Sequence, residues 1–189
     1  MVGLRVIEEA STQSEVQAQV RELRRIGSET HDDVRRLARG LRPAILDDVG
    51  LVPALERFLQ ELGASHQVET SLGASCDEQS RFSENVETSV FRIVQEAANN
   101  AIRHGKAKHL RVKMRCDFNY LYVDVEDDGC GFNVASSLKA NQKNSPFGLL
   151  SIHERACLLG GESLVSSRPG GGTHIHVKIP LPSPEAVHG

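Results

Sequence analysis

The run EDDGCGF at 126–132 places three consecutive carboxylates, two glycines and an aromatic within seven residues, directly after the alternating stretch LYVDV at 121–125. Asp127, at the end of that stretch, offers an acceptor suited to an exocyclic amine such as that of adenine. Gly129 and Gly131 permit a tight turn and close backbone approach to a ligand. Alone, a D-G-x-G loop is more often only a turn. Three further segments follow the same logic: QEAANNAIRHG at 95–105, FGLLSIHER at 147–155 and GGGTHIHV at 170–177. A nucleotide site needs a reader of the base, a divalent metal and backbone donors for the phosphates, and these four segments supply candidates for each.

Asn100 lies one helical turn beyond Glu96, so both side chains can face one pocket. Mg²⁺ takes oxygen ligands and keeps several waters, so the amide oxygen of Asn100 with phosphate oxygens is a sufficient set. Glu96 can orient or deprotonate an attacking group near the terminal phosphate. His104 and Lys108 are placed to meet phosphate or ribose. Gly148 precedes a helix beginning at Leu149, whose free amides favour an anion. Thr173, after three glycines, can hydrogen-bond close to the base. No GxxxxGK[ST] run is present, which excludes a P-loop enzyme, and no Ser–His–Asp arrangement or metal-ligand cluster stands out.

The elements that must hold these residues follow from periodicity. Residues 1–41 are polar, with apolar residues at Val16, Val20, Leu23, Val34, Leu37 and Leu41 and a weaker centre at Gly27 and Thr30. That spacing, near 3.5, predicts a long helix suited to pairing with another chain. Pro43 ends it, and residues 42–63 are expected to form a hinge and short helix, capped by Asp48, with Pro53 in its first turn. From about residue 64 to 182 the pattern predicts a strand around 66–72 and a helix from Ser83 through His104. Two strands with a turn at 117–119 come next, then a polar loop at about 134–147 and a helix at 147–159. Strands at about 162–168 and 173–180 close the domain. The fold expected is α+β: a two-layer sandwich of a mixed sheet with helices on one face. Residues 183–189 are read as a tail.

Bulk properties exclude little. The chain has 189 residues and a formal charge of -3, giving no sign of a nucleic-acid or acidic-membrane surface. No stretch approaches the ~18 apolar residues of a membrane span, and no secretory signal is visible, so a cytoplasmic location without membrane contact is expected for this fragment, a full-length protein being free to carry a membrane anchor. Cys76, Cys116, Cys130 and Cys157 are scattered, which reads as reduced thiols, with Cys130 a small turn residue.

On the four quoted segments the chain resembles sensor histidine kinases, and its C-terminal part their GHKL-type ATPase domain. QEAANNAIRHG is similar to that family's N box, DDGCG and FGLLSIHER to its two glycine boxes, and GGGTHIHVKIP to its final motif. The segment LARGLRPAILDDVGLVPAL is similar to the linker of kinases related to nitrate and nitrite sensors, which sets topoisomerases, mismatch-repair ATPases and anti-sigma kinases aside. The resemblance implies Asn100 on Mg²⁺, Glu96 as the catalytic acid, Asp127 on the adenine amine, and ATP contacts from His104, Lys108, Gly129, Gly131, Gly148, Leu149 and Thr173. It also implies a lid at about 134–147, with Lys139 and Lys143 reaching phosphate. The family reaction moves the γ-phosphoryl of ATP to a histidine on a dimeric helical domain and then to an aspartate of a response regulator. A response regulator and a homodimer through the N-terminal helix are therefore the expected partners.

His31–Asp32, in RRIGSETHDDV, superficially fits the acceptor box and makes His31 a possible phosphoacceptor. The linker motif begins only a few residues later, however, which favours reading 1–41 as the second helix of that domain, with the acceptor helix upstream. Two other readings stand beside a kinase: a nucleotide-binding regulatory module without phosphotransfer, and a dimerising adaptor.

Overall fold

A computed structural model describes residues 42–76, 82–134 and 148–181. The expected N-terminal helix with His31, the loop carrying Lys139 and Lys143, and the tail lie outside them. The chain divides into two compact units between Arg42 and Pro43, and every described helix and strand belongs to the unit that begins at Pro43.

Two helices come first, α1 (Ala44–Val49) and α2 (Leu51–His66). Gly50, at φ 80°, sits between them and is the N-cap of α2. Asp48, expected to be that cap, lies inside α1. A break with positive φ suits glycine, which has no Cβ to clash. Pro53 falls in the first turn of α2, where its missing N–H leaves no intrahelical bond unmade. Far from being only a connector, this segment buries Leu46, Leu51, Leu55 and Leu59 in the core of the domain.

Strand β1 (Glu69–Ala74) leads to helix α3 (Glu84–Arg103), and β2 (His109–Cys116) and β3 (Tyr120–Asp127) form a hairpin. Helix α4 (Leu149–Leu158) and strands β4 (Glu162–Ser167) and β5 (Thr173–Pro180) complete the unit. The five strands run in the order β1-β2-β3-β5-β4, with β1 parallel to β2 and every other pair antiparallel. This is the mixed sheet the alternating segments imply.

One face of the sheet is apolar: Leu110, Val112 and Met114 of β2, Leu121, Val123 and Val125 of β3, and Ile175, Val177 and Ile179 of β5 are all buried. Helix α3 is buried along Val86, Val90, Ile93, Val94, Ala97 and Ala101 in the same core, each large side chain contributing about 1.5–3 kcal/mol. The alternate residues face outward and pair across strands. Glu126 accepts from Arg111 and Lys113 at 3.4 and 3.2 Å, and Asp124 takes His174 and His176 at 2.8 Å each. No helix among the described residues is long and apolar enough to cross a membrane.

The cysteine expectation is corrected. Cys76 and Cys116 form a disulfide, with Cα atoms 5.2 Å apart, while Cys130 and Cys157 are free thiols. The parallel register matches Ala74 to Met114, and two residues further along both chains stand the two cysteines. Their 40-residue separation carries no hint of this until β1 and β2 are paired.

Candidate nucleotide site

A cleft opens where the C-terminal half of α3, the loop after β3, the first residue of α4 and the start of β5 converge. Asn100, His104, Asp127, Gly131, Leu149 and Thr173 line it, so six of the residues singled out from sequence meet in one place. Ala97 and Ala101 of α3, Gly105, Cys130, Phe132 and Ile175 complete the wall. The alanines leave room beside the helix, and Ile175 and Phe132 supply an apolar surface to which a flat aromatic base would fit. Sequence reading missed these lining residues as a group, because the core-facing period of α3 and β5 continues unbroken into the cleft. All six nonetheless fall inside the quoted segments 95–105, 126–132 and 170–177, with Cys130 and Phe132 in the EDDGCGF run.

Asp127 ends β3, paired in register with Thr173 at the start of β5. Its Oδ1 accepts the N–H of Gly129 at 2.8 Å, and Thr173 donates from both backbone and hydroxyl. Burial nevertheless dominates and raises its carboxyl above the usual aspartate value, because desolvation penalises the charged form more than these donors favour it. Asp128, the next residue, is turned out of the cleft. Its Oδ1 accepts the N–H groups of Lys108 and His109 at 2.8 and 2.9 Å, and its Oδ2 meets the His109 ring at 2.6 Å. These bonds, the His109 ring first, lower its pKa to about 2 and raise that of His109. Asp128 thus fixes the start of β2 beside the loop.

The glycines of the loop also serve its internal packing. A Cβ on Gly129 would strike the carbonyl oxygen of Gly105, and one on Gly131, at φ 57°, would strike that of Arg168. Both permit a close approach of the protein's own backbone. The loop is laced accordingly: Cys130 donates its N–H to Gly105 O at 2.7 Å, Gly170 donates to Cys130 O at 2.6 Å, and Gly172 donates to Gly129 O at 3.0 Å.

Glu96 does not line the cleft where Asp127 does. Its carboxylate lies against Gly148, the residue that opens α4 at φ 59°, so the acid and the free amides of the α4 N-terminus share one neighbourhood. Lys108 is exposed, outside the lining residues, and contributes its backbone N–H to Asp128. Among the described residues no group of three His, Cys, Asp or Glu is placed to hold a metal ion.

Comparison with known proteins agrees with this geometry. Residues 85–183 match the model of the histidine kinase-, DNA gyrase B- and HSP90-like ATPases. The chain belongs to that family. An uncharacterized sensor-like histidine kinase of Chloroflexus aurantiacus is 38% identical over 168 residues, covering 88% of this chain and 28% of the relative. The signal transduction histidine-protein kinase/phosphatase DegS of Brevibacillus brevis is 33% identical over 172 residues, covering 88% of this chain and 42% of the relative. The chain thus spans less than half the length of both. Among solved structures, the histidine kinase domain of the Erythrobacter litoralis EL346 blue-light activated histidine kinase superposes with a TM-score of 0.58 at 20% identity, covering 95% of this chain and 90% of that one. That similarity shows a shared fold, the α+β sandwich expected from the strand and helix pattern. The matched region begins in α3, so the first two helices and β1 lie outside the family model although they are part of the core.

Proposed function

We propose that this chain is the ATP-binding catalytic part of a two-component sensor histidine kinase, which moves the γ-phosphoryl of ATP to a histidine and from there to an aspartate of a response regulator. The observation that carries the reading is the arrangement along α3. The acceptor pair Asp127–Thr173 borders one end of the cleft, Glu96 lies against the α4 N-terminus, and Asn100 stands one turn from Glu96 on the cleft wall. A base, a metal-bound triphosphate and a reacting phosphoryl group fit that order.

In this reading Asp127 accepts the exocyclic amine of adenine, and Ile175 and Phe132 pack against the ring. The oxygen of Asn100 is the protein's ligand to Mg²⁺. An amide on a cleft wall, where the described residues hold no group of three His, Cys, Asp or Glu, suits a cation that keeps its waters and arrives with phosphate. When bound, Mg²⁺ neutralises phosphate charge. Glu96 orients the attacking imidazole or takes its proton, and the α4 amides stabilise charge on the transferring group. His104 meets phosphate or ribose, and Lys143, outside the described residues, is assigned to phosphate. The apolar spacing within residues 1–41 suits pairing of two copies. Both named relatives carry a histidine kinase title, which supports phosphotransfer over a purely regulatory pocket.

The test is incubation with γ-labelled ATP and Mg²⁺, scoring acid-labile, alkali-stable phosphate on this chain or on a longer form of the protein. Label absent from Glu96→Gln supports the role given to Glu96; label that survives it contradicts that role. A His31→Gln variant in the same experiment decides whether His31 is the acceptor, since label then disappears with it.

A further inference from the structure

Ser167, the last residue of β4, stands behind the base end of the cleft without lining it, and its hydroxyl holds three parts of the surrounding backbone. Its Oγ accepts the N–H of Phe132 at 3.0 Å, donates to Gly172 O at 2.8 Å and lies 3.3 Å from Thr173 Oγ1. Phe132 ends the loop that begins at Asp127. Gly172 and Thr173 end the β4–β5 turn and face Asp127 across the ladder. One hydroxyl therefore ties together both strands of backbone that carry the aspartate and its threonine partner.

The proton count sharpens this. A serine hydroxyl has one proton and two acceptor lone pairs. One lone pair is used by Phe132 N–H, and the proton goes to Gly172 O or to Thr173 Oγ1. With the proton on Gly172 O at 2.8 Å, the second serine lone pair faces Thr173 Oγ1 at 3.3 Å, so the threonine hydroxyl is shared between Ser167 and Asp127. Ser167 thereby fixes where the Thr173 hydroxyl stands beside Asp127. A second cavity at this strand end is lined by Ser167 together with Asp127, Thr173, Glu126, Arg168 and His174.

We infer that Ser167 is a positioning residue for base selection: it orients the Thr173 hydroxyl and the Phe132 backbone so that Asp127 reads a 6-amino purine. This rests on the ATP reading of the cleft. Ser167 touches neither phosphate nor the reacting atoms, so its effect falls on nucleotide affinity and on discrimination at the purine 6-position, not on turnover at saturation.

The experiment compares ATP with inosine triphosphate, which carries an oxo group in place of the amine, in wild type, Ser167→Ala, Ser167→Cys and Ser167→Thr. Thermal unfolding of each variant is followed in parallel. The expected result is an ATP affinity about tenfold weaker in Ser167→Ala, the order of one lost hydrogen bond with a buried partner. The preference for ATP over inosine triphosphate shrinks with it, and turnover at saturating ATP is unchanged. Ser167→Thr, which keeps the hydroxyl, restores the preference. If Ser167→Ala does not fold, Ser167→Cys, nearly the same size and a weak donor, gives the same comparison. Equal loss of affinity for both nucleotides, or no loss, overturns the proposal while leaving the ATP site intact. A wild-type protein that binds both nucleotides equally overturns the assignment of Asp127 to the amine, and this inference with it.

Discussion

Asp127 and Asp128 are adjacent in sequence, and their surroundings shift their pKa values in opposite directions. Asp127 Oδ1 accepts one backbone N–H at 2.8 Å inside the cleft wall, and burial raises its pKa. Asp128 Oδ1 accepts two backbone N–H groups at 2.8 and 2.9 Å on the exposed rim, and its pKa falls to about 2 with the His109 ring against it. The strand period of 2 explains the division. At the end of β3 one side chain continues the series that borders the cleft, and the next is thrown to the other side. One acid is available to a ligand and the other secures the loop.

The raised pKa of Asp127 gives nucleotide binding a pH dependence. The ionised form accepts an amine hydrogen, so affinity weakens as pH falls through the folded value, above the ordinary aspartate value of about 4. For stability the sign is reversed. A folded pKa raised by burial favours folding below the unfolded value, and that contribution is lost as pH rises through the folded value. Equilibrium titrations with ATP across the acid range should show this in wild type, whereas Asp127→Asn should give weak binding with little pH dependence.

The Asp128–His109 pair makes the complementary prediction. Asp128's contribution is present above about pH 4 and is lost as pH falls toward its folded value of about 2. The contribution of His109 is fully present below about pH 6.5 and is lost as pH rises through its raised folded value. The pair is therefore most stabilising between those limits. Urea midpoints of Asp128→Asn should lie below wild type there, and the difference should narrow on both sides. Because both side chains are exposed, the shift should be small.

Gly148 and Glu96 cannot be altered independently. Gly148→Ala places a methyl group on the Glu96 carboxylate at a φ of 59°, a conformation that costs an L-residue about 1–2 kcal/mol. Its phosphotransfer should fall with nucleotide affinity largely kept. Glu96→Gln should lower transfer by about 10²–10⁴-fold, the range for a lost general base. Single-turnover rates measured beside the nucleotide Kd separate the two quantities.

The disulfide is checked by counting thiols. Unfolded without reductant, the protein should show two of its four cysteines, Cys130 and Cys157, and all four after reduction. Replacing Cys76 and Cys116 together by alanine should lower stability by about 2–4 kcal/mol, since the bridge closes a 40-residue separation.

Strands β2, β3 and β5 were legible because one face is buried and the other wet, so apolar and polar residues alternate. Helix α3 was legible because its core face repeats every three to four residues. The role of α1 and α2 was not, because an amphipathic helix looks the same whether it joins two modules or packs into one. The disulfide and the lacing of Gly129 and Gly131 to Gly105 and Arg168 depend on which distant segments the sheet brings together. No spacing along the chain encodes that. Asn100, Asp127 and Thr173 could be singled out because their types suit nucleotide chemistry. Ser167 could not, since its significance lies in three hydrogen bonds made only once β4 and β5 are paired.

The measurement closest to the central claim is a calorimetric titration of Mg²⁺-ATP into the wild-type chain and into Asp127→Asn. Loss of a charge-assisted hydrogen bond in a buried site should weaken binding by about 10- to 100-fold or more, with the variant still folded. ATP binding of equal strength in the two proteins would contradict the assignment of this cleft, and of Asp127 within it, as the adenine site.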